Sequence, residues 1–149
     1  MQIGELMRRE VRTTTGSATV AEVARMLRDG GISSVVVLDD GRLSGIITER
    51  DVVTVVAAGK DPATTPVREG MTTDLDTVEP RTDVLDAAAR MARRRIRHLP
   101  VVQDGTVVGM VSIRDLSGWA VDELTGGHEL PDLERSHGAL AAAAEIDRT

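Results

Sequence analysis

Apolar residues follow two rhythms along the chain. Val20, Val23, Ala24 and Leu27 recur at helical spacing and fall on one face. Thr19 with Glu22 forms a capping box that starts this helix, and Gly30-Gly31 stops it. Ser34-Val35-Val36-Val37-Leu38 then runs apolar without alternation, which suits a strand buried on both faces. Asp40-Gly41 signals a tight hairpin, and Leu43 to Ile47 form the returning strand. A second helix is predicted from about Glu49 to Ala58.

The same pattern then recurs at an offset of 64 residues, without a gap, so that Ile3–Thr54 align with Val67–Gly118. Met7/Met71, Ile32/Ile96, Val37/Val101, Gly45/Gly109 and Asp51/Asp115 are among the identical pairs. Val84, Ala87, Ala88 and Met91 make the second helical face, with Asp83 as its cap. Leu99–Val102, Asp104-Gly105 and Val107–Val111 repeat the hairpin, and a last helix is predicted from about Ile113 to Val121. Two copies are too few for a solenoid. They predict an α/β (α+β) fold of two β-α-β-β-α lobes about a pseudo-twofold axis, one module with a cleft between its halves. The organisation is a first copy over 1–58, a turn-rich linker over 59–66, a second copy over 67–121, and a tail over 122–149. The alanine-rich stretch 138–146 reads as a frayed helix or a disordered segment.

Composition narrows the function. The net charge of -6 is concentrated in residues 119–149, which hold seven acids and two bases, leaving the body nearly neutral. With a nearly neutral body, an acidic tail, no Phe or Tyr and a single Trp, nucleic-acid binding is not expected. No apolar run is long enough for a membrane span, and the N-terminus lacks a signal peptide's pattern, so a cytoplasmic location is expected. The absence of cysteine excludes disulfides and thiolate chemistry. His98, His128 and His137 lie in unrelated contexts, so no metal site is predicted.

Candidate chemistry lies in the motif that closes each copy, Gly45-Ile46-Ile47-Thr48-Glu49-Arg50-Asp51 and Gly109-Met110-Val111-Ser112-Ile113-Arg114-Asp115. Taken alone, Thr48 with Asp51 and Ser112 with Asp115 read as capping boxes at helix starts. A helix N-terminus also attracts phosphate, and a carboxylate there can accept from both hydroxyls of a ribose. Hydroxyl plus carboxylate at one helix start therefore favours a nucleoside carrying a phosphate. Ser112 with His98 lacks the surroundings of a catalytic serine, and no paired base and nucleophile can be placed.

Over residues 3–118 the chain resembles tandem cystathionine-β-synthase (CBS) domains, paired modules that sense adenosyl ligands. The resemblance rests on the helix and buried strand, His98-Leu99-Pro100-Val101-Val102, the Asp-Gly hairpin and the closing motif, in this order and twice. It implies that Thr48 and Ser112 contact phosphate or ribose, and that Asp51 and Asp115 hold the ribose. It also implies that basic residues at the turn before the second apolar strand, here Arg97 and His98, face ligand phosphates. The first copy has only Ser33 and Ser34 there, so the tighter site is expected where Arg97 and His98 face it, with Asp115 as its carboxylate.

The expected function is thus regulatory and not enzymatic. An adenine nucleotide (AMP, ADP or ATP) binds between the repeats, no cofactor is required, and the signal passes to an effector protein or through self-association. The family forms flat dimers, which would bury Val52, Val53, Val55, Val56, Leu116 and Val121 in a homodimer. The alternative is a structural or protein-interaction module with no ligand, in which the motifs are only helix caps.

Overall fold

In the computed structural model, which describes residues 1–127, the first copy forms α1 (Ile3–Leu6), β1 (Thr13–Thr14), α2 (Val20–Gly30), β2 (Ser34–Asp39), β3 (Arg42–Thr48) and α3 (Glu49–Ala57). The second forms α4 (Val67–Gly70), α5 (Val84–Arg94), β4 (His98–Gln103), β5 (Thr106–Ser112) and α6 (Ile113–Thr125). Residues 1–116 make one compact unit, and a second begins at Ser117. In that second unit α6 runs one turn beyond the predicted Val121 before Gly126 and Gly127, both at positive φ, end it. The stretch 138–146, His128 and His137 lie outside the described residues.

Local chemistry sets the boundaries. Thr19 Oγ1 accepts from the Glu22 amide at 3.2 Å, and the Glu22 carboxylate accepts from the Thr19 amide at 2.7 Å, which starts α2. The Asp83 carboxylate accepts from the Leu85 amide at 2.8 Å and starts α5. Both hairpins turn on two residues at positive φ, 50° and 74° at Asp40-Gly41 and 51° and 78° at Asp104-Gly105, the geometry that matches the strand twist. After α2, Gly31 takes the left-handed conformation, φ 58°. The equivalent position after α5 is Arg95, held at φ 53°.

The first copy's sheet has the order β1-β2-β3, with β1 parallel to β2 and β2 antiparallel to β3. The second has only β4-β5, and its counterpart of β1 shrinks to the bridge Val78–Val101. Pro100 explains the difference. In the first copy the Val36 amide donates to Arg12 O at 3.0 Å, and Pro100, at that position in the second, has no N–H to donate. The strand Val35-Val36-Val37 is fully buried, as its unbroken apolar run predicts. Val35 and Val37 pack with Val20, Val23, Leu27, Ile47 and Val55, while Val36 joins Ile46 and the second copy's Met110.

The copies do more than stack. Each sends its first residues into the other. The amides of Ile3 and Gly4 donate to Thr82 and Pro80 O, and those of Val67 and Arg68 donate to Ala18 and Gly16 O. Arg8 exchanges both backbone hydrogen bonds with Met110, and Thr72 does the same with Ile46. Val67 thereby completes the first copy's core. Met7 lies over Gly109 and Met71 over Gly45, so closely that a Cβ on either glycine would sit 2.5 and 2.6 Å from the methionine sulfur. This explains why the Met and the Gly recur together in both copies.

Two stability predictions follow from these contacts. Gly109→Ala should overpack the methionine and cost about 1–3 kcal/mol in urea unfolding. Combined with Met7→Ala it should cost less than the sum of the two single changes, because the residues touch. Independent, additive effects would refute the exchanged packing. Arg95→Gly should raise stability by about 1 kcal/mol by removing the left-handed penalty of a residue bearing a Cβ. An unchanged or lower unfolding midpoint would contradict that.

Candidate functional site

The antiparallel pairing of β2 with β3 sets Ser34 opposite Thr48, and that of β4 with β5 sets His98 opposite Ser112. Each closing motif thus leaves its sheet beside the turn that entered it. The Glu49 amide donates to Ser33 O at 3.2 Å and the Ile113 amide to Arg97 O at 2.9 Å, which ties each helix start to the opposing turn.

Both helix starts carry the full capping box. The Thr48 amide and hydroxyl donate to Asp51 Oδ2 at 2.9 and 3.1 Å, and the Asp51 amide returns a bond to Thr48 Oγ1 at 3.3 Å. The Ser112 amide and hydroxyl donate to Asp115 Oδ2 at 2.8 and 2.7 Å, and the Asp115 amide reaches Ser112 Oγ at 3.4 Å. The reading of these residues as helix caps is therefore correct locally. It uses chiefly one oxygen of each carboxylate. The other, Oδ1, meets the exchanged segments: Thr72 donates to Asp51 Oδ1 at 3.2 Å, and Arg8 Nε donates to Asp115 Oδ1 at 3.1 Å.

Thr48, Asp51, Arg97, His98, Ser112 and Asp115, the six residues singled out from the sequence, all line one cavity of about 830 Å³ between the copies. Six arginines border it (Arg8, Arg12, Arg50, Arg95, Arg97 and Arg114) against the carboxylates of Glu10, Glu49, Asp51 and Asp115. Aliphatic side chains, Val11, Ile32, Ile46, Ile96 and Met110 among them, line the rest.

His98 enters this cavity in a different state from the cation its sequence context suggested. It is half-buried, and its Nε2 lies 2.6 Å from Ser33 Oγ of the first copy. Burial lowers the imidazole pKa below its ordinary value, and Arg97 adds to this, while Asp115, Glu49 and Asp51 pull the other way without prevailing. At neutral pH the ring is an uncharged bridge between the copies, and the arginines carry the positive charge. Arg97 itself is exposed. Arg8 and Thr72 are the residues that reading the sequence missed. The one available signal was that they occupy equivalent positions, each directly after a repeated methionine, yet differ in charge.

Comparison with known proteins agrees with this architecture. The CBS domain family matches residues 3–58 and again 67–122. An uncharacterized protein of Methanopyrus kandleri is 39% identical over 119 residues, which cover 78% of this chain and 61% of the relative. The chain thus spans less than two thirds of that relative's length. The CBS domain-containing protein YhcV of Bacillus subtilis is 29% identical across 91% of this chain and 96% of its own. Among solved structures, the CBS domain pair of protein MJ0100, crystallised with 5′-methylthioadenosine and S-adenosyl-L-methionine, superposes with a TM-score of 0.77. It is 26% identical, covering 83% of this chain and 98% of that one. Two matched copies, joined by exchanged segments around one cavity, place the chain in the CBS domain family as a tandem pair.

Proposed function

We propose that this CBS pair is a regulatory module that takes an adenine nucleotide (AMP, ADP or ATP) into the cavity between its copies. One observation carries the reading. Two helix-start carboxylates, already oriented by their caps, border a single cavity whose remaining walls are chiefly arginine and aliphatic side chains, with Glu10 and Glu49 among them. Each part suits one part of a nucleotide. A carboxylate accepts from ribose hydroxyls, arginine binds phosphate in forked geometry, and aliphatic side chains enclose a base. The volume lies within the usual range for small-molecule sites. The adenosine-containing ligands of the related MJ0100 pair support the same ligand class.

The module acts by binding and not by catalysis, since the Thr48 and Ser112 hydroxyls are engaged in helix caps and the histidine is a neutral bridge to Ser33. Its output passes to an effector protein or to a second copy of the chain. The reading without a ligand also has an observation in its favour, because both capping boxes form completely on their own. Ligand titration separates the two. AMP or ATP at a hundredfold excess over Kd should stabilise the protein by about 2.7 kcal/mol, seen as a rise in melting temperature. Asp51→Ala with Asp115→Ala should abolish that rise. A melting temperature indifferent to nucleotide would leave the motifs as helix caps.

Self-association is proposed through α3. Of the residues expected on the dimer face, Val55 and Leu116 are buried in their own protomer and cannot serve. Val53 and Val56 are 65% and 56% exposed, and with the exposed Ala57 they form one outward stripe. Such a stripe marks an interface when it is continuous. Light scattering at micromolar concentration should give a homodimer mass for the wild type and a monomer mass for Val53→Glu/Val56→Glu. A monomeric wild type refutes the dimer.

A further inference from the structure

Position 8 of the first copy and position 72 of the second are equivalent in sequence and in backbone. Arg8 exchanges hydrogen bonds with Met110 at 2.9 and 3.0 Å, and Thr72 exchanges them with Ile46 at 2.8 and 3.0 Å. Each therefore projects a side chain at the closing carboxylate of the other copy from the same place. Only the side chains differ. Thr72 gives Asp51 a neutral hydroxyl, 3.2 Å from Oδ1. Arg8 gives Asp115 a cation, with Nε 3.1 Å from Oδ1.

The consequences for a ligand are unequal. With Oδ2 engaged by Ser112 and Oδ1 by Arg8, both oxygens of Asp115 already have partners, and its side chain is only 11% exposed. A ribose approaching it must break an ion pair and leave the guanidinium to find another partner. Thr72 is an easier obstacle, because a hydroxyl can turn to accept a bond where it had donated one. It also leaves Asp51 without an ion-pair partner among the described residues.

We propose that Arg8 is a specificity-determining residue that closes the Asp115 half of the cavity to ribose, so that the pair binds one nucleoside per chain, at Asp51. This rests on the nucleotide reading above, and it reverses the preference that Arg97 and His98 suggest when the sequence is read alone. The neutral state of His98 removes part of that earlier reason. Arg97 stands in the same cavity and remains available to a phosphate.

Calorimetric titration with adenosine, which has no phosphate for the arginines to attract, tests the proposal, and AMP serves as a second probe. The wild type should bind one adenosine per chain, lost in Asp51→Ala and retained in Asp115→Ala. Arg8→Thr, which installs the residue the other copy uses there, should raise the stoichiometry to two. Thr72→Arg should weaken wild-type binding at least about tenfold, the scale of a charge-assisted hydrogen bond. The double exchange Arg8→Thr/Thr72→Arg should restore one site, now lost on Asp115→Ala. Arg8→Thr decides alone if Thr72→Arg does not fold. Two sites in the wild type, or a stoichiometry unchanged or reduced in Arg8→Thr, overturn this inference and leave the nucleotide reading intact. Failure of adenosine and AMP to bind either the wild type or Arg8→Thr sinks both.

Discussion

The reciprocal crossing of the first residues of each copy is the constraint on which the rest of the structure depends. A copy folded alone would lack Val67 from its core, or its Ile3 counterpart, and would expose the glycine that a methionine of the other copy covers. Filling such a gap is worth a few kcal/mol at each place, comparable with the whole stability of a small domain. The two halves are therefore obliged to fold together. The crossing also fixes their relative placement, because the strand-like bonds of Arg8 to Met110 and of Thr72 to Ile46 pin both closing strands side by side. One cavity with two similar carboxylates is the geometric result.

At Asp51, capping and the proposed ligand binding are not rival uses of the carboxylate. A carboxylate offers several acceptor positions on two oxygens, and the capping box draws chiefly on Oδ2. By fixing that oxygen, the cap sets the direction of the other and removes the side-chain freedom a ligand would otherwise have to freeze. A helix cap is thus a good place from which to evolve a binding site. The stabilising role comes first and already holds the group in position.

The helices, hairpins and buried strands were legible because each has a local cause: the apolar periodicities, Thr19 with Glu22, and Asp-Gly at both turns. Four of the six candidate residues, Thr48, Asp51, Ser112 and Asp115, stood out for the same reason, as they sit in a short motif repeated at one offset, whereas Arg97 and His98 stood out because the copies differ there. What the sequence concealed was whatever depends on contacts between copies. No local pattern reveals that Met7 belongs over Gly109, that Ser33 meets His98, or that Arg8 meets Asp115. The shrinkage of the second copy's first strand was hidden differently. Its cause, Pro100, was visible in the sequence, but its effect falls on a residue some 20 positions away.

Once two copies share a cavity, a substitution in one is felt by the other, and the repeats are free to diverge only in complementary ways. Among the equivalent pairs that border the cavity, five differ in charge or polarity: Thr72 against Arg8, Gly31 against Arg95, Ser33 against Arg97, Ser34 against His98, and Glu49 against Ile113. In three of them one copy carries an arginine where the other is neutral, in the fourth a serine corresponds to a histidine that burial keeps uncharged, and in the fifth the first copy carries an acid where the second is apolar. Positive charge has accumulated around a pair of carboxylates, one of which has been neutralised by direct contact. A symmetric cavity would offer a ligand two equivalent orientations. This one sets Asp51, which has hydrogen bonds but no ion-pair partner among the described residues, against several arginines, and under the nucleotide reading it would distinguish the hydroxyl end of a ligand from its anionic end. Under that reading binding would be directional, because only one orientation sets hydroxyls against a carboxylate and phosphate against arginine.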